Sequence, residues 1–256
     1  MLEPKTTCRS CERPVLVRTT EGTGGYCLRC FKLSPDERED SRRARDPATL
    51  PSIEQALRQT LRVHVPTVVR LLGSESIYGF ALFTDPFYEL ITSCVFTEAG
   101  LLGVAERYQR EAPAVYGADC PLDQVERGLR WSTADSPYIA FRETEDFHDL
   151  HLRLGDLWRA IPRDDDSLVD RTTAAIEGIC IAALRELRSS HLMPSSPALL
   201  LLQDDQGWEE RFALAEFLNP PEILDRLRRD WQPDKKLLDH YKSRFARYAE
   251  IASVPK

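Results

Sequence analysis

From residue 52 onward, the spacing of apolar positions separates helical stretches from strands. The most strand-like stretch is 76–97, SIYGFALFTDPFYELITSCVFT, where β-branched and aromatic residues crowd two runs on either side of Asp85 and Pro86. A Pro-initiated turn between two such runs predicts a hairpin. Tyr78, Phe80 and Leu82 would share one face, and Ile77, Ala81 and Phe83 the other. With no polar-out alternation, both faces need covering, and helices are expected to do it. Upstream, Ser52 with Gln55 forms a capping box that should open a helix burying Ile53, Ala56, Leu57 and Leu61. Pro66 is expected to kink or split that helix, and Gly73 to end it.

Beyond the hairpin, Thr97 can cap a helix to about Arg110 with Leu101, Leu102, Ala105 and Tyr108 inward. Residues 112–122 contain two prolines and a glycine and read as loop. Leu129, Arg130, Trp131 and Ser132 are expected to return to the sheet, and Asp135, Ser136, Pro137 and Tyr138 to turn away from it. A helix from Asp146 carries Phe147, Leu150, Leu154, Leu157, Trp158 and Ile161 and stops at Pro162. Asp164, Asp165 and Asp166 precede a long amphipathic helix through Ile176, Cys180, Leu184 and Leu187. Carboxylates there serve as cap and macrodipole partners, which accounts for them better than a metal site does. Ala198–Gln203 (ALLLLQ) is a further buried strand, followed by helices over Trp208–Leu218, Pro221–Trp231 and about 234–252. The expected class is α+β, a mixed or antiparallel sheet covered by helices.

The first 50 residues obey different rules. Cys8 and Cys11, then Cys27 and Cys30, form two CxxC pairs separated by fifteen residues. Each pair can turn two thiolates to one side of a tight knuckle, and two facing knuckles complete the tetrahedral four-thiolate set that a structural Zn²⁺ prefers. Val15, Leu16 and Val17 read as a short strand between them, and Glu21 to Gly25 as a turn. The layout is that of a zinc ribbon or treble clef. Four protein ligands leave the metal no open position, so it would staple the fold and not catalyse. Residues 34–51 hold three prolines, dense mixed charge and almost no large apolar side chain, as a linker would. The expected division is 1–33 as the four-cysteine module, 34–51 as linker and 52–256 as the α+β domain.

Charge sharpens the picture of partners. The chain has 34 Lys and Arg against 41 Asp and Glu; residues 1–50 hold ten and eight of these, leaving 24 against 33, a net charge of −9, for 51–256. An acidic body argues against broad contact with nucleic acid, whose binding runs on cations displacing counterions, and suits a basic protein partner. Zinc ribbons also bind nucleic acid, but Arg9, Arg13, Arg18, Arg29 and Lys32 are scattered among Glu3, Glu12 and Glu21 without an aromatic stacking cluster. No apolar run is long enough for a membrane span and no apolar signal core opens the chain. Seven cysteines, four of them in CxxC pairs, favour a reducing compartment over a disulfide framework, and a cytoplasmic location is expected.

Catalytic signatures are sparse. Gly22, Thr23, Gly24 and Gly25 lack the Lys-Ser/Thr of a phosphate loop, and GxSxG, HExxH and kinase motifs do not occur. His148 and His151, spaced i and i+3 near Glu145 and Asp149, have the minimum geometry of a metal pair. His151 falls on the apolar face between Phe147 and Leu154, however, where a hydrogen-bonded core histidine is commoner. Cys180, flanked by Ile179 and Ile181, has none of the electropositive surroundings of a nucleophile.

With these segments placed, residues 52–227 resemble the bacterial domain-of-unknown-function family 4303. The likeness lies in a helix leading into Ile77 to Asp85, a second strand ending Phe96, Thr97 and Glu98, then Arg130, Trp131 and Ser132, Tyr138, the long helix, the ALLLLQDD strand and Phe217 to Pro220. Such families look like immunity proteins of bacterial toxin systems, single α+β domains that protect a cell by binding a toxin. The resemblance supplies no catalytic residues, and the four-cysteine module lies outside it. It implies a non-catalytic protein-binding module of the immunity or antitoxin type, with a structural zinc. The alternative is a zinc-ribbon adaptor or regulator associated with nucleic acid.

Overall fold

A computed structural model describes residues 5–7, 14–17, 23, 26, 32, 34, 48–117, 119–162, 165–193, 196–203, 206–239 and 241–242. The chain divides into two compact units, Met1–Thr49 and Leu50–Lys256. In the first, strands β1 (Lys5–Thr7) and β2 (Pro14–Leu16) pair antiparallel, Lys5 opposite Leu16. The strand expected at Val15 to Val17 thus forms one residue earlier. Cys8, Cys11, Cys27 and Cys30 lie outside the described residues.

The second unit opens with α1 (Leu50–Leu72). It starts two residues before Ser52, because Pro51 fits the first helical turn, where an amide N–H has no intrahelical acceptor anyway. Nor does Pro66 split it; Thr67 Oγ1 donates to Val63 O at 2.8 Å, and buried Val65 and Val68 hold the helix down on both sides. Gly73 ends the helix at φ +61, its amide donating back to Val69 O at 3.1 Å.

The hairpin is present: β3 (Ile77–Thr84) pairs antiparallel with β4 (Ile91–Thr97), Phe80 opposite Val95 and Leu82 opposite Ser93. Thr97 Oγ1 then caps α2 (Glu98–Glu111) by accepting from Gly100 N. That helix buries Leu101, Val104 and Ala105, whereas Leu102, expected inward, is exposed. Within the stretch expected as loop lies α3 (Pro113–Tyr116), and α4 (Leu122–Leu129) follows. After α5 (Glu143–Asp146) and α6 (His148–Ala160) comes α7 (Asp166–Ser189), N-capped by Asp165 accepting from Leu168 N. Strand β5 (Ala198–Gln203) returns parallel to β3, Leu82 opposite Leu201, so the sheet order is β4-β3-β5 and the sheet is mixed. Helices α8 (Trp208–Leu218) and α9 (Pro221–Trp231) close the order. The class is α+β.

Two layers cover the sheet. Over Phe80 and Ser93 lies α1, whose His64 touches both. Over the opposite face, Trp131 stands against Gly79 and Phe96 and stacks edge-on to Trp231, which in turn meets Phe212 of α8. The backbone at 129–132 does not rejoin the sheet: Leu129 ends α4, and Trp131 reaches the sheet with its side chain alone. The segment that docks is the one expected to leave, with Val95 N donating to Tyr138 O, Ala140 N to Ser93 O, and Ser136 Oγ to Val95 O. The cause is that β4 is an edge strand whose outward amides and carbonyls need partners. On the other edge Asn219 does the same work, accepting from Leu199 N at 2.8 Å and donating to Leu199 O at 2.7 Å. Among the described residues no helix is long and apolar enough to cross a membrane.

Candidate functional site

Helix α1 puts His64 on its buried face between Leu61 and Val65, with no exposed surface. A fully buried imidazole needs a partner at each nitrogen. Nδ1 lies 2.8 Å from Asp146 Oδ2 and Nε2 lies 2.7 Å from Ser93 Oγ. The carboxylate can only accept, so the consistent assignment has Nδ1–H donating to Asp146 and Ser93 O–H donating to Nε2. Three elements thereby meet: α1, the middle of β4, and the last residue of α5. These are the separations and polarity of a Ser-His-Asp relay, in which the carboxylate fixes the imidazole tautomer and the imidazole activates the hydroxyl.

The surroundings decide what the relay does. Ser93 is 0% exposed, flanked by Leu82 across the ladder, and its own carbonyl accepts from Ala140 N. The imidazole meets Phe147 edge-on at 5.0 Å between ring centroids. Arg142 Nε stands 3.3 Å from Asp146 Oδ2 and supplies a second donor to that carboxylate. To reach it, Arg142 adopts φ 58 and nearby Ala140 φ 51, left-handed conformations that cost non-glycine residues about 1–3 kcal/mol each. The network therefore over-determines a strained turn that lies along β4.

Burial lowers the pKa of His64 below its ordinary 6.5, outweighing the hydrogen bond and the charge of Asp146, which pull it up. For Asp146, burial pushes up, but hydrogen bonds from His64 and Arg142 together bring it below the usual 3.8. Near neutral pH the set is a neutral imidazole between a hydroxyl and an anion. As folded, Ser93 offers its oxygen to no substrate, and the relay acts as a polar clamp within an apolar core.

Sequence reasoning missed all three residues. The available signal was a histidine at a core position of an apolar helix face, a placement that demands partners. The histidine pair it did single out is not brought together with other ligands: His151 Nε2 lies 2.7 Å from Ile91 O and its Nδ1 3.7 Å from Glu143, while His148 is exposed. Among the described residues no group of three or more His, Cys, Asp or Glu side chains is disposed to hold a metal ion. Burial pushes the Cys94 thiol up to about 12 and raises Cys180 as well, so both are inert core residues. Comparison with known families finds a model described as Domain of unknown function (DUF4303) matching residues 57–193. That region contains His64, Ser93 and Asp146 and ends before β5. No curated protein and no solved structure matches the chain.

Proposed function

The chain belongs to the DUF4303 family, and on that premise we propose that it is a non-catalytic protein-binding module of the immunity or antitoxin type, which neutralises a bacterial toxin by covering a basic surface on it. The observation that carries this reading is the enclosure of Ser93 and His64, with Asp146 held against the imidazole. Residue types able to do acyl-transfer chemistry at a surface are spent here on joining helix, strand and turn. What such a body offers a partner is its exterior, and residues 51–256 are acidic, 24 Lys and Arg against 33 Asp and Glu. Charge of this kind speeds encounter with a basic partner and selects against others, while affinity comes from a smaller buried cluster. Co-expression with any toxin-like protein encoded beside it is expected to relieve that protein's toxicity. The association rate of the purified pair should fall as salt rises, since exposed charges more than about 10 Å apart are screened at 0.1 M. Unrelieved toxicity, with no complex at micromolar concentration and low salt, would remove the reading.

The four cysteines belong to the same proposal. Cys8, Cys11, Cys27 and Cys30 are assigned one structural Zn²⁺, because two CxxC pairs supply the full thiolate set that a closed site requires. Elemental analysis of reduced protein should return one zinc per chain, and Cys27→Ser should abolish it while leaving the main thermal transition within a few degrees. Well under one zinc per chain with all four thiols intact would refute the assignment.

A further inference from the structure

Where α7 ends and β5 begins lies a cavity of about 60 Å³, walled by Leu187, Pro197 and Leu199 and carrying Arg188, His191 and Ser196 as its polar lining. At roughly 15 Å³ for each water, such a space suits about four waters or one compact ion of similar size. His191 and Ser196 are exposed, which leaves the cavity open on their side. No Asp or Glu is among the described residues that line it.

Arg188 is only partly satisfied. Both of its internal bonds leave from Nη2, to Pro197 O at 2.8 Å and to Asn219 Oδ1 at 2.7 Å, and both acceptors are neutral. Its Nε is buried without an acceptor. The guanidinium is half-buried and forms no ion pair among the described residues. Burial lowers its pKa, while Glu222, in the first turn of α9, acts at longer range to raise it. A cation in the last turn of a helix is ordinary, since it answers the macrodipole. That accounts for the charge but leaves the open donor and the adjoining cavity without a role. A charged group withdrawn from water is costly unless an anion or enough acceptors replace the lost hydration.

We propose that this cavity binds a phosphate group, Arg188 supplying the charge and His191 and Ser196 the further donors. Donors drawn from a helix end, the turn after it and the approach to a strand suit a tetrahedral oxyanion, which offers an oxygen to each. A planar carboxylate would be met by a single guanidinium fork. His191 takes φ 55, unfavourable for a non-glycine residue, in the position that puts it on the cavity. The site is independent of the toxin-binding reading above.

The test uses the full reduced chain at pH 7 with inorganic phosphate as the probe, at constant ionic strength so that general screening does not change. Calorimetry is expected to give a dissociation constant of about 1 mM or tighter, within reach of so small an ion, and phosphate should raise the melting temperature. His191→Gly with Ser196→Ala should weaken binding about 10-fold with the phosphate-free melting temperature unchanged, because both side chains are exposed and glycine suits this φ. Glu222→Gln, which removes a carboxylate acting on Arg188, should tighten it about 2- to 3-fold. Arg188→Gln should abolish binding; that side chain also holds Pro197 and Asn219, so the double variant carries the test if the fold is lost. Glycerol phosphate binding at least as tightly as the free ion would identify a phosphate ester as the ligand, and weaker binding the free ion. Acetate competing as well as phosphate would overturn the tetrahedral assignment. No heat and no melting shift at about 20 mM phosphate, or unchanged affinity in the double variant, would overturn the site.

Discussion

Replacing Asp146 by Ala is expected to lower the stability of the Leu50–Lys256 unit by about 3 kcal/mol, since a buried imidazole N–H and Arg142 both lose a charged acceptor. For a unit of this size that corresponds to roughly 6–12 °C in melting temperature. Ser93→Ala, which keeps the His64–Asp146 bond, should cost about 1 kcal/mol. Acid provides a second readout. Because the folded pKa of His64 lies below its ordinary 6.5, the unfolded chain binds the proton first, so stability declines as pH falls below 6.5 and levels off once the folded imidazole is protonated. The depressed Asp146 carboxyl adds stability present above 3.8 that is lost as pH falls through its folded value. In Asp146→Ala the imidazole loses the two interactions that raise its pKa, so the first decline should continue to lower pH than in the unmodified chain. Urea titrations between pH 8 and 4 measure this. An Ala variant as stable as the original, or with an unchanged pH profile, would show that the three residues are not coupled.

Gly79→Ala is the second large expected effect. A Cβ at Gly79 would lie 2.8 Å from Trp131 Cζ3 and 3.0 Å from Phe96 Cδ2. Neither ring can retreat. Trp131 is tied by Nε1 to Asp230 at 2.9 Å and enclosed by Tyr78 and Trp231, and Phe96 is packed between Tyr78 and Trp131. Overpacking of this kind costs about 1–3 kcal/mol, more than the gain from removing a glycine from a strand. A thermal melt with near-ultraviolet circular dichroism should show both the loss and a changed tryptophan environment. Trp131→Phe in the same chain should recover part of the loss; a double variant with the sum of the single costs would place the strain elsewhere.

Much of the architecture could be read from local pattern. The hairpin, the Thr97 and Asp165 caps, the long α7 and the buried ALLLLQ strand each depend on residues within a few positions of one another, which periodicity reports directly. What escaped depends on distance along the chain. The sheet edge is closed at 138–140 by a single bridge at Ile139, too short to leave an alternating pattern, and Trp131 attracted the assignment because a large aromatic near a turn resembles a strand start. Helix α4 had a legible seam in Leu122, Val125 and Leu129, obscured by the prolines before it. The relay was harder still. His64, Ser93 and Asp146 are separated by 29 and 53 positions, and each alone is unremarkable: a histidine in a helix, a serine in a strand, an aspartate in an acidic stretch. Their burial and mutual geometry exist only after the three elements have been assembled.

The parallel pairing of β5 on β3 has a consequence for how the molecule is made. β3 ends at Thr84 and its second neighbour begins only at Ala198, so the ribosome emits the hairpin, then six helices, before the central strand can be completed. At about 5–20 residues per second the interval is roughly 6–23 s. Throughout it, the amides and carbonyls along the open edge of the central strand lack their final partner. A nascent chain in that condition is a natural client for a holdase, and a piece cut at residue 193, where the family match ends, would remain in it permanently.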